Sequence, residues 1–423
     1  MQCFEIIGGN RLKGAIPISG AKNAALPIMA ASILVEGETV LHNVPDLADV
    51  RQMQTLLRCL GVRTERDAAG AMHLRVEDEM NAHAEYDLVS KMRASVCVMG
   101  PLLAKRRRAQ VSMPGGCAIG DRPIDLHVLG LETLGAESEL TNGDVLLRAK
   151  KLKGCEVFLG GPFGSSVTAT ANVMMAATLA EGRTVIASAA CEPEVIDLAN
   201  YLNACGARIT GHGTPEITVE GVESLKAAEH RIIADRIEAG TFMIAAAITN
   251  GDLELQGAKL EHMRAVVDRL RRVGIMIERG EKGIAVSSTR RLEPVVITTQ
   301  PYPGFPTDLQ AQAMALLCLA DGNSVITEKI YPDRFLHVGE LNRMGAHLHK
   351  EGPTVIIEGA KRLIGAPVMA SDLRASAALI LAGLVAKGTT RVARAYHIDR
   401  GYERIEEKLT AVGARIRRVN ETS

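Results

Sequence analysis

The strongest constraint on the fold is a repeat that fills the chain with six successive units of nearly equal length. Its clearest marker is a glycine that follows an amphipathic segment. These glycines recur at an almost constant interval and are Gly61, Gly135, Gly206, Gly274, Gly345 and Gly413. Glycine is favoured just after a helix because it adopts the left-handed backbone conformation without steric cost. Six units of similar length predict a fold made from six copies of one supersecondary motif.

Each unit contains the same series of segments. It opens with an Ala- and Leu-rich segment, such as 376–386, whose apolar residues on nearly all sides predict a buried helix. A β-rich run, a second helix and a hairpin follow, so the unit is predicted to be β-α-β-α-β-β in an α/β protein. Because one unit cannot bury both faces of its sheet, we expect two domains of three units each. An open solenoid is the alternative.

Composition excludes several classes of protein. The 49 Lys and Arg balance the 49 Asp and Glu, and the chain has no Trp and only 6 Tyr and 6 Phe. A neutral chain with few aromatic residues is a poor candidate for binding nucleic acid or a membrane surface. The eight cysteines form no C-x-x-C pair or zinc-ligand spacing, and neither a secretory signal nor a membrane span is apparent. We therefore expect a cytoplasmic globular protein with free thiols and no metal.

The second unit departs from the regular spacing. In the other five units, the turn glycine and the glycine after the helix are separated by nearly the same interval, as in Gly37 to Gly61. The corresponding interval of the second unit, which ends at Gly135, is longer. The extra residues fall in the glycine-rich segment Pro114–Gly120, which predicts an exposed loop and lacks the Lys-Ser/Thr of a phosphate-binding P-loop.

Cys117 lies in the middle of this glycine-rich loop, close in sequence to Arg122. A neighbouring arginine in an exposed setting lowers a thiol pKa, because the positive charge stabilises the thiolate. Most cysteines are instead inert core residues. The setting of Cys117 favours a reactive thiol over an inert one.

Charged and polar residues recur where the buried helices are predicted to begin. These residues are Lys22, Asn23, Lys91, Arg93, Asn172, Asp235, Asp308, Asp372 and Arg374. Asp-Arg pairs also recur at 121–122, 333–334 and 399–400. Each pair taken alone is most simply a capping aspartate with a surface arginine. Together they favour a cationic pocket for a small polyanionic substrate, since helix N-termini and Arg forks both bind anions. Asp308 is either a helix-start acid or a general base.

Six motifs, in order along the chain, resemble the family of UDP-N-acetylglucosamine enolpyruvyl transferases (1-carboxyvinyltransferases) in the EPSP synthase superfamily. The motifs are Ser19–Pro27, Met92–Ser95, Pro114–Gly120 with Arg122 and Pro123, Phe305–Asp308, Asp372–Ser376 and Tyr396–Arg404. The resemblance covers nearly the whole chain. It implies two inside-out α/β barrel domains of three repeats each, one at 22–232 and the other at 1–21 plus 233–423, with the active site in the cleft between them.

The implied reaction moves the enolpyruvyl group of phosphoenolpyruvate to the 3′-hydroxyl of UDP-N-acetylglucosamine and releases phosphate, the first committed step of peptidoglycan synthesis. No cofactor is implied. The resemblance assigns Asp308 as base and Cys117 as acid and covalent nucleophile, the latter also the expected site of fosfomycin alkylation. It assigns the phosphate of phosphoenolpyruvate to Lys22, Arg122 and Arg400, its carboxylate to Arg334 and Arg374, and the reaction intermediate to Asn23. It assigns the UDP-sugar to Arg93, Arg122, Pro123, Ile124, Asp125, Leu126, Ser166, Val167, Asp308 and Ile330, with Asp372 in support.

The chain departs from the family pattern at Thr168 and Ala171, where the family usually has Gly and Glu, so contacts near the nucleotide are an open question. Two alternative functions also stay open. One is the related transferase that uses shikimate 3-phosphate, although it lacks a loop like Pro114–Gly120. The other is a catalytically silent paralogue that binds a UDP-sugar.

Overall fold

The computed structural model describes residues 2–113, 124–288 and 291–420. The chain divides into two compact units. Unit A comprises residues 2–19 and 234–420, and unit B comprises residues 20–113 and 124–233. The breaks between the two units fall after Ser19 and after Ile233. Among the described residues, no helix combines the length and apolarity that crossing a bilayer requires.

Unit B contains three four-stranded sheets and the helices between their strands. The sheets, in strand order, are Glu229–Arg231, Glu38–His42, Met72–Val76, Val62–Arg66; His83–Ala84, Arg108–Ser112, Asp144–Arg148, Glu137–Thr141; and Glu156–Phe158, Arg183–Ala187, Glu216–Glu220, Arg208–Thr210. The helices are α1 (Lys22–Ala31), α2 (Ala48–Cys59), α3 (Tyr86–Val89), α4 (Met99–Arg106), α5 (Asp125–Thr133), α6 (Val167–Ala177) and α7 (Pro193–Ala204). Two 3-10 segments, Ser32–Leu34 and Arg93–Val98, and two short strand pairs, Val35–Glu36 with Leu225–Lys226 and Gly160–Gly161 with Gly164–Ser165, complete it.

Unit A has three sheets of the same kind. In strand order they are Lys13–Pro17, Asp252–Gln256, Gly283–Ser287, Met276–Arg279; Val296–Thr298, Asn323–Thr327, Thr354–Glu358, His347–Glu351; and Pro367–Met369, Thr389–Ala393, Gln2–Ile7, Arg415–Asn420. The helices are α8 (Arg236–Ile248), α9 (Arg264–Val273), α10 (Gln310–Leu317), α11 (His337–Arg343), α12 (Leu373–Val385) and α13 (Ile405–Ala411). The 3-10 segments are Leu260–Met263, Thr307–Leu309 and Ala395–Arg400. The α/β class predicted from the sequence is confirmed.

In all six sheets the first strand pairs parallel to the second, and the remaining pairs are antiparallel. In the third sheet of unit A the N-terminal strand Gln2–Ile7 takes the third place, between Thr389–Ala393 and Arg415–Asn420. The six glycines that mark the repeat all have φ between 79° and 106°. A residue with a Cβ rarely adopts this conformation, which explains why glycine recurs there.

The core of unit A is built around α8, α10 and α12, which pack against one another. Their sequences are rich in Ala, Leu, Ile and Met, and almost every residue is buried. Side chains of Asp235 and Asp372 cap α8 and α12 by accepting hydrogen bonds from backbone N–H groups of the first turn. Polar groups therefore concentrate in the first turns of helices whose other residues form the apolar core.

A buried ion pair lies beside Ser19, the last residue of unit A before the chain enters unit B. Lys408 Nζ donates to Glu238 Oε1 and to Ser19 Oγ, each at 2.7 Å, and Ser19 N–H donates to Glu238 Oε2 at 2.7 Å. Asp235, one residue after the chain returns to unit A, donates its N–H to Ser19 O at 2.8 Å. The cluster thus binds both segments that connect the units.

Burial raises the pKa of Glu238 to about 7, although Lys408 opposes this shift. Because the folded-state pKa lies above the usual 4.5, folded Glu238 holds a proton that the unfolded chain has lost between these pH values. This contribution to stability is complete below pH 4.5 and is lost as the pH rises through about 7.

As the pH rises from below 4.5 to above 7, we predict that the free energy of unfolding of wild type falls by about 3 kcal/mol relative to that of Glu238→Gln. Urea unfolding at a series of pH values measures the difference. Glu407→Gln, which changes an exposed carboxylate of α13, is the matched control and should keep the wild-type pH dependence. Parallel pH curves for wild type and Glu238→Gln would refute the prediction.

Candidate active site

The carboxylate of Asp308 lies between two buried arginines of unit A. Arg334 Nη1 donates to Oδ1 at 2.9 Å, and Arg374 Nη2 donates to Oδ2 at 2.8 Å. The two arginine side chains are 8% and 4% exposed, whereas the Asp308 side chain is 26% exposed. Each carboxylate oxygen therefore has its own cation, and the aspartate is the most accessible member of the cluster.

Three chain segments bring these charges together, each close to the start of a helix. Asp308 lies in the turn Thr307–Leu309 before α10, Arg334 precedes α11, and Arg374 is the second residue of α12. Asp372 caps α12 by accepting from the N–H of Arg374 at 2.8 Å. This cap fixes the turn that carries the Arg374 side chain, which is consistent with a supporting role for Asp372.

The two arginines control the ionisation of Asp308. Burial alone would raise the pKa of this carboxyl, but the charge of Arg374, then that of Arg334, and their hydrogen bonds hold it well below its usual range. Burial would lower the pKa of Arg374, and Asp308 more than offsets this, so the net shift is upward. Asp308 is therefore ionised at neutral pH, and it is a weak base while both arginines hold it.

A second buried carboxylate, Glu328, was missed by the sequence analysis. Thr307 Oγ1 donates to Glu328 Oε2 at 2.8 Å and accepts from Arg334 Nη1 at 3.0 Å. Glu328 Oε1 accepts from Thr299 Oγ1 at 2.7 Å and from the N–H of Ile330 at 2.8 Å. Glu328 therefore fixes both the turn before Asp308 and the backbone of the half-buried Ile330. The available signal was an acidic residue directly after the β-rich run 323–327.

The interpretation of Asp333 and Arg334 as a capping aspartate with a surface arginine is wrong. Arg334 is buried and pairs with Asp308, whereas the Asp333 side chain is 85% exposed and lies 3.7 Å from Lys350. The residues next to Arg334 in the sequence gave no indication that its side chain is buried. The charge of Arg334 is therefore directed to the site and not to the surface.

Arg400 ends the 3-10 segment Ala395–Arg400 and is half-buried. The preceding residue, Asp399, accepts two hydrogen bonds from Arg418, at 2.8 and 2.6 Å. This bidentate pair joins the segment to the last described strand and holds the backbone next to Arg400. The remaining Asp-Arg pair, at 121–122, lies outside the described residues.

In unit B, Lys22 is the first residue of α1, as predicted, and Asn23 is exposed beside it. Lys22 Nζ donates to Asp49 Oδ2 at 2.9 Å, and the two side chains are 12% and 6% exposed. Asp49 lies in the first turn of α2. The pair places an ammonium group at the start of α1 and compensates its charge.

The start of α6 differs from the prediction. Asn172 was expected at the N-terminus of this helix, but α6 begins at Val167, and Asn172 is buried in its interior. The cap is Ser166, whose Oγ accepts from the N–H of Ala169 at 3.3 Å. The prediction failed because 167–171, a run of Val, Thr and Ala, gave no clear helix-start signal. Ser166 and Val167 are thus placed together at the first turn of α6.

Asn172 organises a buried polar network next to this turn. Its Nδ2 donates to His127 Nδ1 at 2.8 Å, so the proton of neutral His127 is on Nε2, which donates to Thr168 Oγ1 at 3.0 Å. Burial, helped by the charge of Arg93, lowers the pKa of His127 to about 3 and keeps it neutral. Thr168 is thus held by a histidine.

Several predicted site residues lie within or directly after the segment 114–123, which is outside the described residues. Cys117, Arg122 and Pro123 belong to it. Ile124 is buried, and Asp125 and Leu126 begin α5. No group of three His, Cys, Asp or Glu among the described residues could hold a metal ion. Within the described parts of the units, the chemistry at hand is that of a carboxylate and fixed cations, which suits an anionic substrate and proton transfer.

Comparison with known proteins gives the family. The model of the EPSP synthase (3-phosphoshikimate 1-carboxyvinyltransferase) family matches residues 6–409. The chain is 53% identical over 420 residues to the UDP-N-acetylglucosamine 1-carboxyvinyltransferase of Methylacidiphilum infernorum and 54% identical over 422 residues to that of Anaeromyxobacter sp. strain Fw109-5. In both cases 99% of each chain is covered.

Solved structures share the fold at lower identity. The enolpyruvyl transferase NikO from Streptomyces tendae gives a TM-score of 0.90 at 24% identity, covering 100% of this chain and 99% of that one. EPSP synthase from Acinetobacter baumannii gives 0.76 at 21% identity, covering 99% and 100%. With a family model matched along nearly the whole length and full-length curated relatives at 53% and 54% identity, the chain belongs to the EPSP synthase family of enolpyruvyl transferases, in the group of the UDP-N-acetylglucosamine 1-carboxyvinyltransferases.

Proposed function

We propose that this enzyme transfers the enolpyruvyl group of phosphoenolpyruvate to the 3′-hydroxyl of UDP-N-acetylglucosamine and releases phosphate, the first committed step of peptidoglycan synthesis in the cytoplasm. The observation that carries the proposal is the identity of 52 to 54% to full-length relatives of that name. The identity to EPSP synthase of Acinetobacter baumannii is only 21%, which disfavours shikimate 3-phosphate as the acceptor. The same relationship supports an inside-out barrel of three repeats in each unit.

Each substrate group has residues assigned to it. We assign the phosphoenolpyruvate phosphate to Lys22, Arg122 and Arg400, its carboxylate to Arg334 and Arg374, and the intermediate to Asn23. We assign the UDP-sugar to Arg93, Arg122, Pro123, Ile124, Asp125, Leu126, Ser166, Val167, Asp308 and Ile330. Arg forks suit a carboxylate or phosphate because two N–H groups match two oxygens.

The reaction proceeds in two steps that conserve atoms and charge. The 3′-oxygen bonds to C2 of phosphoenolpyruvate while Asp308 accepts the hydroxyl proton and the Cys117 thiol donates a proton to C3. The tetrahedral ketal then loses phosphate from C2, which takes the proton held by Asp308. It also loses a proton from C3 to the Cys117 thiolate, so the double bond of the product and both catalytic groups are restored. In a separate addition, the Cys117 thiol adds across the C2–C3 double bond of phosphoenolpyruvate, with sulfur bonding to C2 and the thiol proton going to C3, and this gives the covalent adduct. Positioned cations lower the barrier by offsetting the charge of the reacting groups.

Arg334 and Arg374, which together form a clamp on the Asp308 carboxylate, make the strength of this base depend on whether substrate is bound. The substrate carboxylate and Asp308 are both anions that fit the Arg334 and Arg374 forks. When the substrate carboxylate binds these arginines, it replaces Asp308, whose pKa rises because it loses its cations. Asp308 therefore becomes a stronger base only after phosphoenolpyruvate is bound. Without this substrate, Asp308 stays paired with both arginines and remains a weak base.

Phosphate release by the purified protein tests the function. With phosphoenolpyruvate present, we expect release with UDP-N-acetylglucosamine and none with shikimate 3-phosphate. Release with shikimate 3-phosphate alone would overturn the acceptor assignment. Absence of release with either acceptor, while the UDP-sugar still binds, would indicate a catalytically silent paralogue.

Asp308→Asn tests the base and the clamp together. We expect turnover to fall roughly 100-fold, the effect of losing an acid-base group, with UDP-N-acetylglucosamine binding retained. Calorimetry should also show tighter binding of phosphoenolpyruvate, because the competing carboxylate is gone, but unchanged binding of inorganic phosphate.

Asp333→Asn is the matched control, since it removes the same charge from an exposed neighbour of Arg334 that does not touch the clamp. It should change neither turnover nor affinity. Near-normal turnover in Asp308→Asn would remove the proposed base, and unchanged affinity for phosphoenolpyruvate would remove the competition.

The epoxide fosfomycin tests the role of Cys117. We expect one covalent addition per chain, located by peptide mass mapping at Cys117, with loss of activity in proportion. Exposed Cys59 and buried Cys97 and Cys318 are internal controls, the last two because burial raises their pKa to about 12 and keeps them as thiols. Inhibition with an unmodified Cys117 peptide would refute the assignment.

A further inference from the structure

The buried hydroxyl of Tyr402 is the point where the three central helices of unit A meet through polar side chains. Tyr402 is 1% exposed. Its oxygen lies 2.8 Å from Thr241 Oγ1 of α8, 3.1 Å from Gln312 Nε2 of α10 and 3.3 Å from Arg374 Nη1 of α12. No role is assigned to Tyr402, Gln312 or Thr241 by the sequence analysis.

Counting donors fixes the direction of these hydrogen bonds. Thr241 has one hydroxyl proton, and it is directed to Ile237 O at 2.8 Å. Tyr402 must therefore donate its own proton to Thr241 Oγ1. This leaves the lone pairs of the phenol oxygen to accept from Gln312 and Arg374. The hydroxyl is thus oriented as an acceptor toward the guanidinium.

The same hydroxyl is connected to both partners of the candidate site. Arg374 directs Nη1 to Tyr402 and Nη2 to Asp308, so Tyr402 fixes the rotation of the guanidinium and leaves the other nitrogen for a carboxylate. Gln312 Nε2 also donates to the backbone oxygen of Asp308 at 2.9 Å. The Arg374 guanidinium lies over the Tyr402 ring, 5.6 Å from its centroid, which adds a cation–π contact.

We infer that Tyr402 is a positioning residue for substrate-carboxylate recognition: its hydroxyl, held by Thr241, orients Arg374 and, through Gln312, the backbone of Asp308. The inference rests on the proposed function, in which Arg374 binds the carboxylate of phosphoenolpyruvate. It goes beyond that function because the proposed function assigns Tyr402 no contact with either substrate. A hydroxyl that merely filled the core would affect stability but not the recognition of one substrate.

Tyr402→Phe removes the oxygen and keeps the ring. We expect the KM for phosphoenolpyruvate to rise roughly tenfold, the lower end for loss of a hydrogen bond to a charged group, with the KM for UDP-N-acetylglucosamine unchanged. The dissociation constant of phosphoenolpyruvate, measured by calorimetry without acceptor, should rise by the same factor. Thermal unfolding records the loss of stability separately.

Tyr201→Phe is the matched control. Tyr201 is also fully buried, and its hydroxyl bonds to Thr39 Oγ1 at 2.9 Å and not to an arginine. Both variants lose one buried phenol oxygen, so a similar loss of stability is expected from each. Only Tyr402→Phe should change phosphoenolpyruvate recognition, and an equal rise in KM for both variants would overturn the inference.

A double-mutant cycle tests whether Tyr402 acts through Arg374. In an Arg374→Lys background, adding Tyr402→Phe should change the phosphoenolpyruvate dissociation constant less than twofold, because the orienting bond has no guanidinium to act on. A further tenfold rise would show that the two residues act independently and would overturn the inference.

Thr241→Val provides a second variant if Tyr402→Phe does not fold. It leaves Tyr402 in place but removes the acceptor of its proton, so the hydroxyl turns and no longer accepts cleanly from Arg374. We expect the KM for phosphoenolpyruvate to rise here too, and an unchanged KM in this folded variant would count against the inference. Absence of turnover in wild type would instead refute the proposed function, which separates the two failures.

Discussion

The sharing of one carboxylate between two buried guanidinium groups is the interaction on which the candidate site of unit A depends. Arg334 and Arg374 are almost fully removed from solvent, and two such charges close together are stable only with an anion between them. Asp308 supplies that anion in the structure. The requirement for an anion is general, so a substrate carboxylate of the same shape satisfies it equally well. Charge compensation in the folded protein and the proposed recognition of the substrate carboxylate are therefore the same physical problem.

The architecture of unit A explains how such charges are kept in an otherwise apolar core. α8, α10 and α12 consist mainly of Ala, Leu, Ile and Met, and their few polar side chains lie in the first half of each helix. Thr241, Gln312 and Arg374 come one from each helix and meet at Tyr402. Because each buried polar group needs a partner, the network works only when all three helices are in register. The same packing that forms the core thus fixes the orientation of the guanidinium.

Local signals predicted the α/β class and the positions of Lys22 and Arg374 at helix starts, since these depend on sequence patterns and helix caps within a few residues. Contacts between distant segments were not predictable in the same way. Tyr402 and Glu328 have no unusual neighbours in sequence, and their partners are up to 161 residues away. Asn172 was assigned to a helix start because a polar residue is rare inside a buried helix, but a histidine and two backbone groups satisfy its amide there. Partners that justify a buried polar residue are supplied only by the tertiary structure.

Two carboxylates, Asp308 and Glu328, lie close to Thr307, and they differ in whether a ligand can displace their partners. Glu328 accepts hydrogen bonds from the hydroxyl groups of Thr299 and Thr307 and from backbone N–H groups of the next turn. These partners are held in place by the fold, so a ligand cannot remove them. Asp308 is held by two arginine side chains, and under the proposed function the substrate carboxylate takes its place on them. A substrate can therefore withdraw the partners of Asp308 but not those of Glu328. This difference in partners, and not a difference between the two carboxyl groups, makes Asp308 the group whose basicity changes in the proposed reaction.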